Sequence, residues 1–144
     1  MRLKAMAKIN LGLDVLGKRE DGYHEVRMIM QTIRMYDILD IRKTRRPGIV
    51  LTTNLPFIPT DQRNLVYKAA QMLMEEFDVE EGLSIKLRKF IPVAAGMAGG
   101  SSDAAAAFVG VNRIFHLGLT EEQLMERAVK VGADVPYCIM RGTA

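Results

Sequence analysis

The sequence predicts an α+β domain, and three observations carry that prediction. Segments alternating apolar with polar residues come first, and segments of helical apolar period come mostly later, which favours α+β over a regular βα alternation. The 144 residues, 49% hydrophobic and 26% charged, suffice for one domain with a real core. No internal repeat, low-complexity stretch or long charged tail interrupts them.

Taken in order, Ile9, Leu11, Leu13 and Val15 alternate with polar or small residues, as in a half-buried strand. "GKREDGY" supplies turn chemistry, with Asp21-Gly22 its strongest local signal. Val26, Met28 and Met30 alternate again, and "DILDIRK" and "GIVLTT" read as two more short strands. "NLPFIPTDQRN" is a connection. Leu65, Ala69, Leu73 and Phe77 then recur at helical spacing, with Val66, Ala70 and Met74 beside them. "LSIKLRKF" alternates through Leu83, Ile85 and Leu87, a strand that Pro92 ends. "DAAAAFVGVNRIF" reads as a helix despite Gly110. Thr120 and Gln123 form a capping box for a helix over Leu124 and Ala128, and Gly132 sits where a C-cap glycine belongs.

Charge and cysteine content narrow the function classes. Twenty basic against 17 acidic residues leave a net charge of +3, compatible with an anionic small molecule, with nucleic acid, or with neither. One cysteine, Cys138, excludes an internal disulfide and suits a reducing compartment; in its apolar, strand-like surroundings it reads as a small buried hydrophobe. No apolar run approaches the ~18 residues of a membrane span, so a cytoplasmic domain with no membrane partner is the expectation. Ten methionines serve as core fillers and His116 as an ordinary loop residue.

The chemistry concentrates in "PVAAGMAGGSSDAAAAF", residues 92–108. Glycines here lie between a strand and a helix expected to start near Ser102 or Asp103. A helix N-terminus offers free N–H groups and partial positive charge, which attract phosphate. Glycines admit an anion against the backbone, and serine hydroxyls add donors. The plain alternative is a flexible connection with Ser101 or Ser102 as N-cap. The glycine density favours the phosphate reading, although the segment is neither a P-loop nor a GxGxxG turn.

"PVAAGMAGGSSDAAA" resembles the second signature motif of the GHMP kinases, a superfamily of small-molecule kinases. Its double glycine before Ser-Ser-Asp-Ala-Ala is similar to the branch whose acceptor is a cytidine-diphosphate-linked methylerythritol. "AKINLGLDVLGKREDGYHEV" resembles that branch's N-terminal signature, and "VGADVPYCIMRGTA" its Gly-Ala-Asp-Val-Pro segment. Met97 stands where leucine is more usual, a volume-conserving change.

The resemblance implies a mixed sheet with helices packed on one side, a fold also seen in ribosomal proteins, and phosphorylation of the acceptor's C2 hydroxyl by ATP with Mg²⁺. It implies Lys8 and Asp134 as the catalytic pair, the aspartate accepting the hydroxyl proton beside the lysine. It assigns the nucleotide to Pro92, Val93, Ala94, Ala95, Gly96, Met97, Ala98, Gly99, Gly100, Ser101 and Ser102, with Asn64 near the adenosine. Asn10, Tyr23 and His24 would hold the acceptor; metal ligands stay unassigned. Read without the resemblance, Lys8 is a solvated strand-end charge, Asp134 a cap or turn residue, Asn64 a helix cap, and Asn10, Tyr23 and His24 ordinary strand or turn residues.

Kinases of this family run to nearly twice this length. Residues 1–144 are therefore expected to be the N-terminal GHMP domain, with the C-terminal GHMP domain absent from this chain and turnover by the chain alone in doubt. A homoserine or mevalonate kinase is the rival within the family, against which "DGYH" speaks. A nucleic-acid-binding domain of the same fold is the rival outside it. Only "RKTRR", residues 42–46, clusters basic charge, so no nucleic-acid partner is expected.

Overall fold

The structure, a computed structural model, describes residues 1–6, 36–91 and 99–141. Strands β1 (Arg2–Met6), β2 (Tyr36–Thr44), β3 (Gly48–Thr53) and β4 (Gly82–Arg88) form one sheet in the order β1-β2-β4-β3. Helices are α1 (Leu65–Glu76), α2 (Gly99–Ile114), α3 (Glu121–Ala128) and α4 (Val135–Arg141). β1 and β4 pair antiparallel with β2, while β3 pairs parallel with β4, so the sheet is mixed. The alternating segments Ile9–Val15 and Val26–Met30 and the Asp21-Gly22 turn lie outside the described residues.

Period-two burial sets the sheet's two faces. Leu3, Ala5, Leu39, Ile41, Leu51, Leu83, Ile85 and Leu87 point inward, and Asp37 shares their face. Arg2, Lys4, Arg42, Lys86 and Arg88 are exposed. α2 crosses β1 and β2, flanked by α1 and α4. Its run Ala104–Ala107 and Phe108 are fully buried, as expected of a helix enclosed by neighbours. Small side chains let those neighbours approach closely. At Gly110 a Cβ would stand 2.6 Å from Ile41 Cδ1 and 3.1 Å from Leu3 Cδ1, so glycine is there for packing.

The link from β2 to β3 arches over the end of β4, because Gly82 pairs with both Thr44 and Gly48. A Cβ on Gly82 would run into the Arg46 carbonyl and the Thr44 hydroxyl. Leu124 and Ala128 are buried, and the capping box at Thr120 and Gln123 forms in both directions, at 3.2 and 2.9 Å.

Several expectations need correction. β1 was not anticipated: "RLKAM" has weak strand propensity and is made a strand by pairing with β2. β4 ends at Arg88, short of Pro92. α2 begins at Gly99, so Ser101 and Ser102 lie inside it and neither is its N-cap; burial of the alanine run extends the helix beyond its local preference. Cys138 is on α4, not in a strand. Gly132 is not a C-cap, since α3 is capped at Val129; its carbonyl accepts from Val135 N at 3.2 Å as α4 begins. Among the described residues no helix is long and apolar enough to cross a membrane.

Gly110→Val should destabilise the domain by about 1–3 kcal/mol, because Ile41 and Leu3 must both yield. A denaturant midpoint equal to that of the unaltered chain would contradict the packing assigned to Gly110.

Candidate functional site

The domain's candidate site grows from the ends of helices that start close together. Asn64 caps α1: its Oδ1 accepts from Val66 N and its Nδ2 donates to Pro59 O, both at 2.9 Å. This is the cap reading, and it leaves the side chain engaged with its own helix. Leu65, the next residue, lies between two glycines remote in sequence. A Cβ on Gly100 would stand 3.8 Å from Leu65 Cδ1, and one on Gly132 would stand 4.0 Å from it. Three segments singled out in the sequence therefore meet at the start of α1.

α2 and α4 are joined at the same end. Ser102, 1% exposed, donates from Oγ to Cys138 Sγ at 3.6 Å. Asp134 immediately precedes α4, and its carbonyl accepts from Cys138 N at 3.2 Å. The Asp134 side chain is exposed. Of the other residues assigned to nucleotide, Gly99 and Gly100 open α2, while Pro92, Val93, Ala94, Ala95, Gly96, Met97 and Ala98 lie outside the described residues. Lys8, Asn10, Tyr23 and His24 also lie outside them. The described residues on either side of these four, Met6 of β1 and Tyr36 of β2, pair with each other.

Gly100 is informative because nothing described requires it. It is exposed and helical, with room for a methyl group. A glycine costs up to about 1 kcal/mol relative to alanine in a helix, and at this first-turn position it leaves the backbone open to close approach.

Sequence reading missed the most unusual feature, a buried ionic cluster. Lys89 Nζ donates to Asp37 Oδ2 at 2.9 Å and to Asp103 Oδ2 at 2.7 Å. Asp37 is 0% exposed, and its Oδ1 accepts from Phe90 N at 2.7 Å and Ile91 N at 2.9 Å. Asn54, just past β3, holds the Lys89 backbone from the other side: Lys89 N donates to its Oδ1 at 2.8 Å and its Nδ2 donates to Lys89 O at 3.2 Å. Side chains thus continue β4 where the ladder stops. The available signal was Asp37 itself, a carboxylate in step with the inward Leu39 and Ile41.

Two carboxyls face one ammonium, and their environments push them apart. Burial holds Asp103 well above the usual carboxylate range, reinforced by the adjacent Asp37; Lys89 only partly opposes this. For Asp37 burial also acts upward, but hydrogen bonds from Asp103, Ile91 N–H and Lys89 outweigh it and the net direction is downward. Lys89, desolvated yet paired twice, is raised. The directions are therefore opposed, with Asp103 the carboxyl of the pair that favours its proton; its Oδ1 has no hydrogen-bond partner among the described residues. Among those residues no group of three or more His, Cys, Asp or Glu stands together for a metal ion.

The family model for the GHMP kinases N terminal domain matches residues 64–142, more than half of the chain. The chain belongs to the GHMP kinases. Among its GHMP relatives, the 4-diphosphocytidyl-2-C-methyl-D-erythritol kinase of Lachnoclostridium phytofermentans is 57% identical over 142 residues, which are 99% of this chain and 49% of the relative. That of Caldicellulosiruptor bescii is 57% identical over 144 residues, 100% of this chain and 50% of the relative. The chain spans about half the length of the curated relatives it matches. The crystal structure of a 4-(cytidine 5'-diphospho)-2C-methyl-D-erythritol kinase superposes with a TM-score of 0.71 at 30% identity, covering 100% of this chain and 50% of that one. Homoserine kinase from Cytophaga hutchinsonii, 19% identical with a TM-score of 0.63, covers 74% of this chain and 34% of that one and shares the fold alone.

The cluster's protonation has a measurable consequence. Unfolded Asp103 ionises near its ordinary 3.8, whereas folded Asp103 stays neutral to higher pH, so folding takes up a proton between those values. Its contribution to stability is full below the unfolded value and is lost as pH rises through the folded one. Asp103→Asn removes this dependence and leaves the opposite contribution of Asp37 in place. The variant's melting temperature should therefore gain on that of the unaltered chain as pH rises from about 4 to 7. Parallel profiles would refute a neutral Asp103.

Proposed function

We propose that this chain supplies the nucleotide end and the catalytic pair of a kinase acting on 4-diphosphocytidyl-2-C-methyl-D-erythritol. The observation that carries the reading is the 57% identity to kinases of that name along the whole chain. Homoserine kinase, by contrast, shares only the fold. GHMP kinases are ATP-dependent, so the γ-phosphoryl donor is ATP.

The α2 N-terminus and the glycines before it would take the triphosphate. Gly100 supports this, because its missing side chain serves no described contact. Asp134 would accept the proton of the acceptor's C2 hydroxyl as that oxygen bonds to the γ-phosphorus and the bond to the ADP oxygen breaks. Lys8 would keep Asp134 ionised and offset charge on the transferred group. Tyr23 and His24 would hold the cytidine, and Asn10 the methylerythritol end. Mg²⁺ would arrive with the triphosphate, whose oxygens supply ligands that no described carboxylate cluster provides. A reducing cytoplasm is the compartment that suits a lone buried Cys138.

Two variants test the reading. Asp134→Asn should lower turnover by about 10²–10⁴-fold while ATP affinity stays within about twofold. Gly100→Ala should melt no lower than the unaltered chain, since alanine favours the helix by about 1 kcal/mol, yet weaken binding of a non-hydrolysable ATP analogue in calorimetry. Undiminished turnover in the first, or undiminished binding in the second, removes the corresponding role.

A further inference from the structure

We infer that Lys89, through Asp37 and Asp103, is a positioning residue for the phosphate-binding end of α2, a role that rests on the nucleotide reading above. The nucleotide-assigned stretch has two shoulders, residues 89–91 before it and the first turn of α2 after it. Neither is held by ordinary secondary structure alone. The first lies beyond the end of β4 and is fastened by side chains: Asn54 on the Lys89 backbone and Asp37 on the N–H groups of Phe90 and Ile91. The second begins a helix with glycines at its first two positions, which is locally weak.

Lys89 joins them. Its ammonium reaches Asp37, which holds the first shoulder, and Asp103, the fifth residue of α2. All three side chains are buried, so the bonds form away from competing water and fix direction as well as distance. Apolar contacts would tolerate sliding of α2 along its axis; an ammonium held between two carboxyl oxygens does not. Donors aimed at phosphate lose their effect when displaced by a fraction of a bond length. The titratable and charged groups of the cluster are these three alone among the described residues, contributed by β2, the continuation of β4, and α2.

The test compares Asp103→Asn with the double variant Lys89→Met/Asp103→Leu in the full chain. An asparagine oxygen still accepts from Lys89, so Asp103→Asn should bind the non-hydrolysable ATP analogue as the unaltered chain does. The double variant removes the bridge with apolar side chains of similar size; Asp37 keeps its two backbone donors but loses its counter-charge. It should melt lower than the unaltered chain yet still cooperatively, bind the analogue about tenfold more weakly or worse, and keep its affinity for the cytidine-linked acceptor. A purely structural role would change the melting temperature without splitting the two affinities.

Equal analogue affinity in the folded double variant overturns the inference and leaves the kinase reading standing. No analogue binding by the unaltered chain overturns both. Should the double variant not fold, amide exchange in the unaltered chain decides. Phe90 and Ile91 must exchange as slowly as the buried first half of α2, and exchange at open-loop rates overturns the inference.

Discussion

One ammonium between two carboxyls, all three withdrawn from water, is the constraint from which the glycine end of this domain follows. Removing a single partner of such a buried pair typically costs about 3–5 kcal/mol, a large share of a domain's stability. Burial favours the protonated form of Asp103, which eases that penalty. Lys89 and Asp37 balance each other in charge, and the backbone N–H groups of Phe90 and Ile91 satisfy the other carboxylate oxygen of Asp37. The three residues come from β2, the continuation of β4 and α2, so sheet and central helix are fixed to each other at one point. α2 packs against both α1 and α4, and that point therefore sets the remaining layers.

The arrangement places two helix N-termini side by side with a single leucine between them. Each end carries partial positive charge, and their proximity is unfavourable unless something negative offsets it. α1 offsets part of its own through Asn64, which engages Val66 N. In the first turns of α2, Ser102 is committed to Cys138 and Asp103 to Lys89. The carboxyl in the first turns of α2, Asp103, is buried against Lys89 and does not cap the helix. A glycine-lined helix start suits close approach of an anionic ligand to the backbone.

Much of the scaffold was legible because local and tertiary preferences agreed. The alternation of Leu83, Ile85 and Leu87, the period of α1 and the Thr120 capping box each survive in the structure almost unchanged. β1 was illegible because Arg2, Lys4 and Ala5 have no strand preference of their own, and the strand exists through its pairing with β2. α4 was missed because an apolar run of six residues, 135–140, looks the same as a buried strand, and only packing against α2 decides it. Of the site, the glycine motif and Asp134 stood out as local patterns. The ionic cluster did not: Asp37, Lys89 and Asp103 lie 52 and 14 residues apart across two hydrogen bonds, and no local spacing connects them.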